Sequence, residues 1–288
     1  MTNEELNTIL GALRGDVAGK SRTYAAVLKD LDDLLKALKD PTKNAATLSE
    51  AATKLRKDSA GVLPSEDLSA ALDRLDEIAR KELDNAAFTF KRDLQAAFAE
   101  KNISLDASAR DRFYADPFRI EMDARRGAVN VLYGHDVMNA KPIPLDPLRV
   151  IAAYAAARKA LVERKSNPSE LLKRIFEAYR RLLAVQGKQF GERVGVVDLF
   201  RELVWLRQSD KFRSAPAKAS FSEYPRAYFA YDVRQLQASN TLTHNGHRIQ
   251  FGTATIDATD NPNRSIWIPE GAEGGHYIMD VYWKKEGE

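Results

Sequence analysis

The chain has 288 residues, of which 44% are hydrophobic and 30% charged, with 44 Lys and Arg against 41 Asp and Glu. This is enough apolar material for one large domain or two to three small ones. No apolar run is long enough to cross a membrane, and zero cysteines remove disulfides, thiolate zinc sites and cysteine nucleophiles together. The start, Met1 to Glu5, is acidic and does not read as a signal peptide, so the expected location is cytoplasmic.

The formal charge of +3 is unevenly spread. Arg149 to Arg226 holds 17 Lys and Arg against 8 Asp and Glu, whereas residues 1–100 hold 15 against 18. Residues 101–148 balance at 7 and 7, and residues 227–288 hold 5 against 8. A clustered field draws opposite charge better than a scattered one, so the middle of the chain is suited to a polyanion or an acidic partner.

Residues 1–100 read as a helical bundle for docking and assembly. Tyr24, Val27, Leu28, Leu31, Leu34, Leu35 and Leu38 recur in three- and four-residue steps as one apolar stripe. Gly15-Asp16-Val17-Ala18-Gly19-Lys20-Ser21 resembles a phosphate-binding loop only superficially. Three residues stand between its glycines instead of four, and helical spacing precedes it. These glycines are expected to separate two helices. Asp40-Pro41 ends the helix, a short helix covers Ala45 to Lys57, and Gly61 breaks the chain. Ser65 is an N-cap candidate, with Glu66 and Asp67 in the first turn. Leu68, Leu72, Leu75, Ala79, Leu83, Ala86, Phe90, Leu94 and Ala97 keep an eleven-residue rhythm, which predicts a nearly straight bundle helix. Phe88 and Phe98 fall off its centre line, so the apolar sector is wide enough to take in further helices.

Residues 101–147 read as a β-hairpin and linker. Phe118, Ile120 and Met122 alternate with charged residues, Arg125-Arg126-Gly127 turns the chain, and Val129, Val131 and Tyr133 alternate again. Lys141 to Pro144 is expected to be an extended linker.

Residues 148–240 read as a basic helical segment. Asp146-Pro147 and Asn167-Pro168-Ser169-Glu170 are start signals for helices reaching about Arg164 and Gln186. Gly187, Gly191 and Gly195 mark a loop, a third helix covers Val196 to Gln208, and Ser214 to Ser220 is expected to be a mobile loop. Arg226 to Gln237 is read as helix. Residues 241–288 read as a small antiparallel sheet. Asn245-Gly246 is a strong hairpin turn, and Ser265 to Ile268 is a short strand. The last strand puts Tyr277, Met279, Val281 and Trp283 on one face and His276, Ile278, Asp280 and Tyr282 on the other. The expected class is therefore α+β and mostly helical, with a helical bundle first, helices in the middle and a small antiparallel sheet near the C-terminus.

The strongest functional signal is the basic block. Lys173, Arg174, Arg180 and Arg181 share one helix, and the pairs seven apart return to nearly the same side. Lys188 and Arg193 follow in the glycine loop, then Arg201 and Arg207 beside Trp205, then Lys211, Arg213 and Lys218. Helix, loop, helix and downstream hairpin is the order of a winged helix, and Arg248 lies near the tip of that hairpin, where a wing touches phosphate. The competing reading is ordinary solvated helix faces, with charges paired to Glu170, Glu177 and Glu202. No single-strand RNA-binding signature rich in aromatics is visible.

Catalytic chemistry is thinner. Glu121 and Asp123 sit two apart on a strand and could hold a divalent metal with His135 nearby, as in a metal-dependent nuclease. His244 and His247 face each other across the hairpin, two ligands where zinc needs three or four. No Gly-x-Ser-x-Gly elbow supplies a serine nucleophile, and no cofactor is expected. The expected function is a non-catalytic adaptor or accessory subunit. It would dock on a protein partner or a second copy through the N-terminal helices and touch nucleic acid or an acidic partner through the basic segment. The alternatives are a divergent metal-dependent nuclease or other hydrolase subunit, and a purely structural interaction protein.

Overall fold

The structure is a computed structural model that describes residues 3–60, 66–239, 241–259, 261–272 and 274–287, with side chains described from residue 19 except at 43, 66 and 67. The class is α+β, 54% helix, with N-terminal helices, central helices and two small antiparallel sheets, one mid-chain and one C-terminal. No helix among the described residues is long and apolar enough to cross a membrane. The chain divides into two compact units. One takes in Met1–Ala97, Met122–Val129 and Ile143–Pro147, and the other Phe98–Glu121, Asn130–Pro142 and Leu148–Glu288.

The first unit contains α1 (Asn3–Ala37), α2 (Pro41–Asp58) and most of α3 (Glu66–Glu100). Val27, Leu34, Ala37, Leu48, Ala52, Leu55, Leu72 and Ala79 form one buried cluster, with Leu31, Leu68 and Leu75 against its edge. Each fully buried leucine contributes about 1.5–3 kcal/mol by leaving water. Helix α1 stops at Ala37, ahead of Asp40-Pro41 as expected, but α2 opens at Pro41, before the expected Ala45, with a break in helical backbone at Asn44. Polar ties add register: Arg56 reaches Asp73 at 2.9 Å and Asp76 at 3.0 Å, joining α2 to α3, and Lys54 pairs with the buried Asp30 of α1.

Two expectations for this region are corrected. Gly15 and Gly19 do not separate two helices, since α1 runs through both. A glycine inside a helix costs about 1 kcal/mol relative to alanine, which thirty-odd residues of continuous helix absorb. A phosphate loop is excluded by the same observation. The single stripe on α1 is in fact two rows. Val27 and Leu34 are buried, whereas Tyr24, Leu28, Leu35 and Leu38 are exposed. Gly61 and the Ser65 cap lie outside the described residues.

The mid-chain sheet consists of β1 (Arg112–Ala115), β2 (Phe118–Asp123), β3 (Ala128–Tyr133), β4 (Asp136–Val137) and β5 (Ile143–Pro144). Its order is β1-β2-β3-β4, with β5 also on β3. The hairpin of Phe118 to Tyr133 is present, and Phe118, Ile120, Met122, Val129, Val131 and Tyr133 are its buried face. The expected linker is not free chain: Ile143 and Pro144 pair with Val129 and Ala128.

The second unit is built on α4 (Pro147–Leu161), α5 (Pro168–Gln186), β6 (Val194–Gly195) and α6 (Val196–Leu206). Then come the short α7 (Asp210–Ser214), a single 3-10 turn (Lys218–Ser220) and α8 (Arg226–Ala238). The expected mobile loop therefore carries local helical turns. The chain ends with β7 (Thr243–His244), β8 (His247–Thr253), the one-turn α9 (Ile256–Thr259), β9 (Ile266–Pro269) and β10 (Gly275–Lys285). Asn167 caps α5 by accepting from the Ser169 and Glu170 N–H groups, and Gly187 closes it in the left-handed conformation. The C-terminal sheet is ordered β6-β10-β8-β7, with β9 also on β10. The Asn245-Gly246 turn has positive φ at both residues, as a tight hairpin demands.

The face assignment of the last strand is corrected. The register of β10 against β8 slips between Ile278 and Asp280. Ile278 is buried before the slip, and Val281 and Trp283 after it. A bulge adds a residue and flips every later side chain to the other face, so one alternating pattern cannot describe the strand.

A buried polar network holds α8 in the second unit. Asp232, 3% exposed, accepts from the Arg164 guanidinium, from Ser166 Oγ at 2.9 Å and from Tyr224 Oη at 2.7 Å. Arg164 also donates to the Leu161 and Tyr228 carbonyls and stacks on the Tyr228 ring at 4.6 Å. Truncating one partner of such a pair strands the other charge. Asp232→Ala is therefore expected to lower unfolding stability by about 3–5 kcal/mol, while Glu177→Ala on the surface changes it by about 0.5 kcal/mol or less. Urea unfolding of both variants checks this, and equal small losses would contradict it.

Candidate functional site

The outward face of α5 carries the densest charge. Leu171, Leu172, Ile175, Ala178, Tyr179 and Leu183 turn inward, which leaves Lys173, Arg180 and Arg181 exposed and Arg174 half-buried. Glu170 and Glu177 are interleaved with them. Arg174 Nε lies 2.9 Å from Glu170 and Arg181 lies 3.2 Å from Glu177, each one turn apart. Arg181 also reaches Glu202 of α6 at 3.2 Å. The Arg174 contact holds the Glu170 carboxyl below its ordinary range. These are solvated pairs, and each opens at little cost.

The other basic candidates separate into committed and uncommitted groups. Arg193 bonds the carboxylate of Asp280 at 3.0 Å and lies over the Tyr282 ring at 4.8 Å. Gly252 leaves the room for this pair, because a Cβ there would strike the Asp280 carboxylate. Lys188 donates to the Arg193 carbonyl at 2.7 Å. Arg207 stacks on Tyr224 at 4.1 Å. Arg201 pairs with Asp198 and Arg213 with Asp210. Among the described residues, Lys173, Arg180, Lys211 and Arg248 make no ion pair. Arg248 stands opposite Lys284 and Thr243 in the sheet.

Helix α8 is largely covered. On α8, Ala227, Phe229, Ala230, Asp232, Val233 and Leu236 are buried. Tyr231 packs edge-on against Tyr133 at 5.7 Å, and β9 lies along the helix. At its start, Arg226 donates to the carbonyls of Pro262 and Ser265, closing the segment between β8 and β10 over it. Burial pushes the Arg226 guanidinium below its ordinary value.

The catalytic candidates are otherwise engaged. Glu121 lies 3.0 Å from Arg119 Nε, an ion pair without hydrogen-bond geometry, and 3.8 Å from Arg112. Asp123 accepts the Arg126 N–H at 3.1 Å, closing the hairpin turn. His135 stacks on Tyr277 at 5.9 Å and meets the edge of Trp267 at 5.2 Å. Gly134 has positive φ, and a Cβ there would collide with Trp267 and Pro269. His244 and His247 face each other as expected, but they pack on aromatic rings. His244 meets Phe176 at 5.1 Å and His247 meets Phe190 at 4.6 Å. Among the described residues no group of three or more His, Asp or Glu could hold a metal ion.

Sequence reading missed two arrangements here. One is the Asp232 network, whose members lie up to 68 residues apart. The other is a clamp in which Gln208 donates to the Ser222 carbonyl at 2.9 Å and accepts the Ser222 N–H at 2.8 Å. It closes the loop 209–221 and brings Trp205, Phe212 and Phe221 together, with centroids 6.2 Å and 5.5 Å apart along the row. The aromatic residues were visible in the sequence; the clamp that gathers them was not.

His135 gives a pH test. Burial, and then the charge of Arg119, push its pKa below the ordinary value, against weaker opposite effects of Asp136 and Glu121. Below about pH 6.5 the unfolded chain takes up a proton that the folded chain resists, so stability falls as pH drops through that window. The gap in Tm between wild type and His135→Gln is expected to shrink on acidification from about pH 7 to 5.5. Parallel Tm profiles would contradict it.

Comparison with known protein families, with curated proteins and with solved structures finds no significant match to this chain.

Proposed function

We propose that this protein is a non-catalytic accessory subunit that contacts the phosphate backbone of nucleic acid through the outward face of α5 and the loop after α6. The observation that carries this reading is that Lys173, Arg180 and Lys211 make no ion pair, inside a segment with a local excess of basic charge. Helix α5, strand β6, helices α6 and α8, and strands β8 and β10, with β10 between β6 and β8, come in the order a winged helix would show, but the Asn245-Gly246 hairpin that carries Arg248 joins β7 to β8 and is not the connection between β8 and β10. Because α8 is covered, contact by this surface would be backbone contact, which gives affinity without sequence readout.

In the same reading α1, α2 and α3 form a helical bundle that docks on a protein partner or a second copy. Its support is the exposed row Tyr24, Leu28, Leu35 and Leu38, beside a core that is already filled. Replacing Leu28 and Leu35 by Glu is expected to abolish assembly in sedimentation while the dissociated chain keeps its native circular dichroism, since both side chains face water in the single chain. Loss of helical signal in the dissociated chain would make the row core instead. The nuclease reading is less favoured, because Glu121 and Asp123 are spent on arginines and on a turn.

Binding is expected to weaken steeply between about 50 and 200 mM salt as counterions are released. Replacing Lys173, Arg180 and Lys211 by Gln should make the slope of log affinity against log salt shallower by about 2–3, and do so equally for unrelated sequences. A flat salt response, or an unchanged slope in the triple variant, would overturn the proposal.

A further inference from the structure

The loop 209–221 is closed at its base by both arms of the Gln208 amide on Ser222, and Gln208 itself is 2% exposed. A buried amide satisfied on both sides fixes the loop ends as firmly as a strand pair would. The loop therefore presents a built surface. Trp205 is 42% exposed and Phe221 41%, with half-buried Phe212 between them. Large aromatic rings left in water side by side are uncommon without a partner. Lys211 and Arg213 flank Phe212, Lys218 stands three residues before Phe221, and Arg201 lies one helical turn before Trp205 on the same face. Asp210, the one acid in the loop, is nearly fully exposed and pairs with Arg213, a contact that costs little to open.

From this juxtaposition we infer that the Trp205–Phe212–Phe221 strip is a stacking platform for single-stranded nucleic acid, with the surrounding cations tracking its phosphates. The inference rests on the nucleic-acid reading above and narrows it to a strand with unpaired bases. The physical ground is that every base has an apolar π-face, so aromatic rings inside a basic rim bind single strands without sequence preference. Duplex hides those faces, and the covered α8 offers no substitute for reading them. An acidic peptide would satisfy the cations but supplies no planar rings for the strip.

The test uses the 288-residue chain, an oligothymidylate of about 20 nucleotides and a duplex of the same length at low salt. Single strand is expected to bind more tightly than duplex and to quench tryptophan fluorescence. Trp205→Ala should weaken single-strand binding by roughly tenfold or more and leave duplex binding unchanged. Trp205→Phe should restore most of the affinity while losing the quench. Trp205→Phe should melt near the wild-type Tm, and Trp205→Ala, which loses the contact with Phe212, should lower it by only a few degrees with the fold intact by circular dichroism. Equal binding of strand and duplex with a silent Trp205→Ala would overturn this inference and leave the backbone-contact reading standing. Absence of binding to either would overturn the reading beneath it. A polyglutamate peptide binding as tightly as the strand would assign the surface to an acidic protein and overturn both.

Discussion

The carboxylate of Asp232 is the point on which the second unit turns. A buried aspartate is tolerable only if its charge is matched and its oxygens are filled. Here Arg164, Ser166 and Tyr224 fill them, from the α4–α5 connection and from the segment before α8. Two stretches of chain are thereby pinned to one side chain of α8. Burial and the nearby Asp232 push the Tyr224 hydroxyl far above its ordinary pKa, so it stays a donor. Arg207 then stacks on the opposite partner of that hydroxyl, the Tyr224 ring, and ends α6 against it.

That anchoring has a functional consequence. With Asp232 turned inward and β9 laid along it, α8 keeps only Gln235 and Ala238 exposed, and Arg226, Tyr228, Tyr231, Arg234 and Gln237 are half-buried. A helix meant to enter a groove keeps one face polar and free. The charge instead lies on α5, on α6 and in the clamped loop, where surface ion pairs hold the arginines at low cost and leave several lysines open. The scaffold and the charge thus point to different parts of the same unit, and the charge is what an anionic partner would meet first.

Much of the fold was legible because local signals were strong. Asn167-Pro168, Asn245-Gly246 and the alternation of Phe118 to Tyr133 each name an element and nearly its ends. What could not be read depended on partners distant in sequence. The pairing of Ile143 with Val129 made a strand of an apparent linker, and the slip at Ile278 inverted half of β10. The α1 stripe was wider than α2 and α3 cover, so spacing alone could not tell core from surface. The basic residues were all visible, but which of them are spent on carboxylates was not. Arg193, a phosphate-ligand candidate by its place in the loop, bonds the Asp280 carboxylate, a partner 87 residues away that spacing could not show.

The central claim is that α8 is a largely covered helix and that the proposed nucleic-acid contact lies elsewhere on the second unit. Hydrogen exchange on the 288-residue chain, with and without an oligonucleotide, addresses it directly. The α8 amides are expected among the slowest to exchange and unchanged by the ligand, with new protection confined to 201–222 and the exposed side of α5. Fast exchange in α8, or protection appearing there on binding, would contradict it.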